Sequence, residues 1–102
     1  MKSIVQNNNT KPWEKQDNEV LEATSAGFAL IVWNDEVNSF EWVIETLIDV
    51  CGHSEQQAEQ CALIIHCKGK YAVKYGNYEA LKVQCDAITE RGIGATVEML
   101  TT

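Results

Sequence analysis

Gly27-Phe28-Ala29-Leu30-Ile31-Val32-Trp33-Asn34-Asp35 is the stretch on which the fold of this chain turns. Its apolar residues run without a break from Phe28 to Trp33, the mark of a short strand buried on both faces. Asn34-Asp35 then ends the strand with turn-forming side chains. Asn38 and Glu41 follow at capping-box spacing, and apolar residues at 40, 43, 44, 47, 48 and 51 draw the stripe of an amphipathic helix. Gly52 suits the end of that helix. Ser54 and Gln57 make a second capping box, opening a helix that turns Ala58, Cys61, Ala62 and Ile65 inward and stops at Gly69. Tyr71-Ala72-Val73-Lys74-Tyr75 reads as a strand. A third helix from Asn77 sets Tyr78, Leu81, Cys85 and Ile88 on one stripe and closes at Gly92, and residues 95–100 give a last strand. The expected architecture is α+β, a β-α-α-β-α-β sandwich in which three helices cover a small three-stranded sheet.

Upstream of Gly27 the character differs. Residues 1–26 are polar, with Asn7-Asn8-Asn9-Thr10 and the single proline, Pro12, and read as a flexible N-terminal extension ahead of a core domain at 27–102. A chain of 102 residues with 45% hydrophobic content supports one domain with a modest core. No apolar run approaches the roughly 18–20 residues of a membrane span, and Met1–Gln6 lacks the apolar region of a secretory signal. Cys51, Cys61, Cys67 and Cys85 have helix-like flanks and are expected to be free, mostly buried thiols of a reducing compartment.

The net charge is -7, and its distribution excludes one class of partner. Residues 16–67 contain ten carboxylates and no Lys or Arg. A phosphate-binding face needs the opposite balance, so nucleic acid is not an expected partner. A cationic group would be attracted to the acidic half, although the same charge also serves solubility.

Few residues could carry chemistry. Asn34 and Asp35 lie where a strand end meets a helix start, a place where such a pair usually bonds the local backbone. His66 closes the apolar Leu63-Ile64-Ile65-His66 and suits a helix C-terminus; His53 falls in the turn between helices and reads as exposed. Cys61 and Cys67 are six residues apart, a spacing foreign to zinc sites, and no cysteine has an evident base or helix N-terminus to activate it. Neither a metal centre nor a thiol enzyme built on Cys61 or Cys67 with His66 is expected. Serine-nucleophile, paired-carboxylate and P-loop patterns are absent.

Taken together, Ile31-Val32-Trp33-Asn34-Asp35, Phe40-Glu41-Trp42-Val43-Ile44 and Ile64-Ile65-His66-Cys67-Lys68-Gly69-Lys70 resemble the ClpS adaptor family. That family reads as an apolar strand ending in V-N-D, then x-x-T-P-M-E-[FY]-V, and later H-x-x-G-[KR]. Gly94-Ala95-Thr96-Val97-Glu98 after a helix fits too, so the match spans about residues 27–100. The resemblance implies a cytoplasmic, monomeric adaptor, not an enzyme, working without cofactor or metal. Such adaptors bind proteins whose first residue is Leu, Phe, Tyr or Trp (N-degron substrates) through the free α-amino group. They deliver them to the Clp protease through the N-terminal domain of its AAA+ unfoldase.

Carried over by position, the resemblance puts Asn34, Asp35 and His66 around the substrate's ammonium group. It lines a hydrophobic pocket with Phe40, Ala62, Ile65 and Ile93, sets Asn38 at the rim, and assigns unfoldase contact to Glu79 and Lys82. This chain departs from the pattern at Asn38-Ser39, where the family has Thr-Pro, and at Phe40 and Ala62, where it has methionines. An amide oxygen, a carboxylate and a neutral imidazole nitrogen are suitable acceptors for three ammonium N–H groups. Each aligned charge-assisted bond contributes about 1.5–3 kcal/mol. Burial of a Leu or Phe side chain adds roughly 1.5–3 kcal/mol, which after association costs implies a Kd on the order of micromolar. A protonated His66 would present a donor to a cation, so binding is expected to weaken below about pH 6.5. The C-terminal domain of the ribosomal stalk protein, an interaction module of the same fold, is the alternative; it works through basic residues, against the cation-free stretch 16–67.

Overall fold

The computed structural model describes residues 27–100; the reading of 1–26 as an extension falls outside them. The chain forms β1 (Phe28–Trp33), α1 (Phe40–Cys51), α2 (Glu55–Lys68), β2 (Lys70–Gly76), α3 (Tyr78–Glu90) and β3 (Ala95–Met99). This is the expected β-α-α-β-α-β order. The sheet runs β2-β1-β3, with β1 central and antiparallel to both neighbours.

The central position of β1 explains its apolar run. Leu30 and Val32 are fully buried and join Leu47 and Cys51 of α1, Ala58, Cys61 and Ile65 of α2, and Leu81, Cys85 and Ile88 of α3 in one core. Each fully buried Leu or Ile stabilises the fold by about 1.5–3 kcal/mol. Burial on the opposite face of β1 is graded, because Ala29 is buried, Ile31 is half-buried and Trp33 is 37% exposed. Expected burial on both faces therefore holds at the start of the strand and gives way at its end. There the Lys70 ammonium lies 4.7 Å over the Trp33 ring, and the indole N–H donates to Thr96 Oγ1 at 3.1 Å.

Three helix starts are capped by side chains, one of them not as expected. Ser54 and Gln57 form the full capping box of α2, and Asn77 Oδ1 accepts from the Ala80 N–H to cap α3. At α1 the cap is Ser39, which accepts from the Trp42 N–H at 3.1 Å, one residue beyond the expected Asn38. Asn38 cannot take that place because its side chain is engaged elsewhere. Gly52 and Gly69 end α1 and α2 with φ of 74° and 94°.

A register shift opposite Leu30/Ile31 leaves Val73 as an extra residue in β2, and its side chain is buried. The bulge also engages His53, read as an exposed turn residue. Its ring lies between two carbonyl oxygens, Nε2 3.0 Å from that of Val73 and Nδ1 3.4 Å from that of Leu47, and the shorter distance places an Nε2–H donor on β2. Among the described residues, no helix is long and apolar enough to cross a membrane.

Candidate functional site

As the chain leaves β1, two backbone bonds fix its path. The Trp33 N–H donates to the Gly94 carbonyl and the Asn34 N–H to the Gly69 carbonyl, both at 2.9 Å. The second bond pins Asn34 to the glycine that ends α2, one turn beyond His66. Asn34 and His66, far apart in sequence, come to line one cavity where a strand end and a helix end share a hydrogen bond.

Asp35 then folds the chain toward α1. Its Oδ1 accepts from the backbone N–H groups of Val37 at 2.8 Å and Asn38 at 2.7 Å, and its Oδ2 accepts from the Asn38 side-chain amide at 2.8 Å. This is the local turn chemistry expected of an Asn-Asp pair. The backbone N–H of Asn38 and then its side-chain amide hold the Asp35 carboxyl below the usual carboxylate value; burial opposes them, and the N–H of Val37 adds a smaller lowering effect. The turn therefore presents a permanent negative charge at neutral pH.

Between this turn, the first turns of α1 and the C-terminal half of α2 lies a cavity of about 610 Å³. That size falls within the roughly 300–1,000 Å³ common to small-ligand pockets. Its polar lining is Asn34, Asp35, Glu36, Asn38, Ser39 and His66, and its apolar lining is Phe40, Val43, Ala62 and Ile65. Ala62 and Ile65 are buried, while Phe40 stands at the opening, 40% exposed.

Asn34, Asp35, Asn38, Phe40, Ala62, Ile65 and His66 are thus brought together. Ile93 is not among the lining residues. It is 2% exposed and belongs to the core cluster. Glu79 and Lys82 lie apart on the exposed side of α3, where Lys82 pairs with Asp86 at 2.8 Å. Sequence reasoning missed Val43, Glu36 and Ser39 as lining residues. Val43 was legible in principle, since it lies three residues from Phe40 on the same face of α1.

A second cavity, of about 540 Å³, opens between α2 and β2 beside His53, Gln60, Cys61, Tyr71 and Tyr75. No carboxylate lines it, so it offers no counter-charge to a cation. Among the described residues, no group of three or more His, Cys, Asp or Glu side chains is placed to hold a metal ion.

The family model described as "ATP-dependent Clp protease adaptor protein ClpS" matches residues 23–96. The chain is 30% identical over 84 residues to the ATP-dependent Clp protease adapter protein ClpS of Mycobacterium marinum, covering 82% of this chain and 83% of that protein. It is 31% identical over 78 residues to its namesake in Mycobacterium leprae, covering 76% and 72%. The structure of Agrobacterium tumefaciens ClpS2 bound to L-phenylalaninamide superposes with a TM-score of 0.66 over 71% of this chain and 94% of that one, at 20% identity, a likeness of fold. With a family model matched over most of its length and relatives of 30% and 31% identity, the chain belongs to the ClpS family of adaptors of the ATP-dependent Clp protease.

Proposed function

We propose that the cavity between β1, α1 and α2 binds the first residue of other proteins when that residue is Leu, Phe, Tyr or Trp with a free α-amino group. The protein then delivers them to a Clp AAA+ unfoldase for degradation. One observation carries this reading: an ionised carboxylate, a side-chain amide and an imidazole line one cavity with four apolar side chains. Asn34, Asp35 and His66 receive the ammonium group, whose three N–H donors need convergent acceptors. Phe40, Val43, Ala62 and Ile65 receive the hydrophobic side chain. Removal of that side chain from water supplies roughly 1.5–3 kcal/mol.

Support also comes from the structural neighbour, which is bound to L-phenylalaninamide. That molecule joins an α-amino group to a benzyl side chain, the two chemistries that the cavity lining would accommodate. Glu79 and Lys82 on α3 are the proposed contact with the N-terminal domain of the unfoldase. Their separation from the cavity would let substrate and unfoldase be held at once.

The test is a set of reporter proteins differing only at residue one and degraded by a Clp unfoldase and protease. With this adaptor present, Leu-, Phe-, Tyr- and Trp-led reporters are expected to be degraded faster, and Ala- or Glu-led reporters unaffected. Equal acceleration of all of them would overturn the reading.

A further inference from the structure

Asn38 joins two parts of the chain that lie 54 residues apart. Its side-chain nitrogen donates one N–H to Asp35 Oδ2 and the other to the Gly92 carbonyl oxygen, both at 2.8 Å. Both partners are acceptors only, which fixes the orientation of the amide: the nitrogen faces them and the oxygen faces away. The backbone N–H of the same residue donates to Asp35 Oδ1. Two of the three donors on this carboxylate therefore belong to Asn38.

The far end of the bridge is itself anchored. Trp42 Nε1 donates to the Arg91 carbonyl at 3.0 Å, and the Arg91 guanidinium lies 5.3 Å over the Trp42 ring and 3.2 Å from Asp49 Oδ2. Gly92 takes φ of 86°, a conformation that disfavours other residues. The turn after α3 is thus held against α1, and its carbonyl is a fixed acceptor. Ser39, not Asn38, caps α1, and the Asn38 side chain spans the gap instead.

We propose that Asn38 is a positioning residue of the N-terminus pocket, bridging the Asp35 carboxylate to the Gly92 carbonyl so that Asp35 meets the ligand's ammonium group in one orientation. This inference rests on the function proposed above. A carboxylate has about four acceptor sites; three are filled, and one remains for an N–H of the ligand. Without the bridge, the backbone N–H groups of Val37 and Asn38 would still hold Oδ1, but Oδ2 would lose its anchor and the carboxylate could twist about that hold, so ordering it would subtract from the binding free energy. The bridge also couples the pocket to the turn after α3, although neither Arg91 nor Gly92 lines the cavity.

The test removes the amide and reads Asp35 directly. Asn38→Leu keeps the size of the side chain and deletes its two side-chain N–H bonds, to Asp35 Oδ2 and to the Gly92 carbonyl, while the backbone N–H bond to Oδ1 stays; Asn38→Ser shortens the side chain and is read in the same way should the Leu variant fail to fold. The Asp35 carboxyl is titrated by residue-resolved carbon NMR in the free protein, which separates it from Glu36 and His66, the other titratable groups lining the cavity. Affinity for a Phe-led peptide is measured alongside, in native and Asp35→Ala backgrounds. The expected result is an upward shift of the Asp35 midpoint with roughly tenfold weaker binding, a loss that falls below about twofold once Asp35 is absent. An unmoved midpoint, or the same loss in both backgrounds, would overturn the positioning role. Failure of the unmutated protein to bind the peptide would overturn the pocket reading itself, and the role of Asn38 with it.

Discussion

At Asp35 one carboxylate accepts three hydrogen bonds and still carries its charge. Replacing it by Ala frees donors that water can reach, so the fold should persist while affinity for a Leu- or Phe-led peptide falls more than about tenfold, as calorimetry would show. The pH dependence has a definite sign. The carboxyl titrates lower in the folded chain than its ordinary 3.8, so its stabilising contribution is complete above that value and is lost as pH falls through the folded one. The urea midpoints of the native protein and Asp35→Ala should differ by a constant amount above about pH 5 and converge below 3.8; a constant difference down to pH 2.5 would remove the hydrogen bonds as its cause. Ile93 and Ala62 separate in the same spirit. Ile93→Ala is expected to cost about 2–5 kcal/mol of stability with peptide affinity retained, since its side chain lies in the core. Ala62→Met fills the cavity and is expected to weaken binding of Phe- and Trp-led peptides most, with stability changed less.

Among the elements, α2 does most to build the site, because its buried face supplies Ala62 and Ile65, its last turn supplies His66, and its terminal glycine holds Asn34. Gly69 has open space where a Cβ would stand, so Gly69→Ala should cost only the backbone strain of its φ of 94°. That strain amounts to about 1–2 kcal/mol, measurable by urea denaturation. The order and type of all six elements were legible because their signals are local: the capping box at Ser54 and Gln57, the cap at Asn77, and glycines after α1 and α2. What the pattern could not display is long-range. Asn38 looks like a helix cap until Gly92, 54 residues away, claims its amide. The bulge at Val73 and the engagement of His53 depend on strand register, which an alternating Tyr-Ala-Val-Lys-Tyr does not encode. The resemblance alone assigned Ile93 to the pocket, and an Ile just after a turn gives no sign of whether it faces a cavity or the core in which it lies here. The polar half of the site was legible only as residue types at a strand end and a helix end, and the resemblance joined them.

For the whole molecule, burial separates one cysteine from the other three. Burial pushes the Cys51 thiol up to about 11, and raises those of Cys61 and Cys85, leaving Cys67 exposed. Mild alkylation at neutral pH should modify Cys67 alone and leave peptide binding intact, because Cys67 does not line the cavity. Loss of binding in step with Cys67 modification would contradict that separation. The most direct test of the central claim compares a Phe-led peptide with its N-acetylated twin by calorimetry at neutral pH. Acetylation removes the positive charge and two of three donors while sparing the benzyl group. Binding of the free peptide on the order of micromolar, with the acetylated one at least about tenfold weaker, is the predicted result. Equal affinity for the two would contradict it.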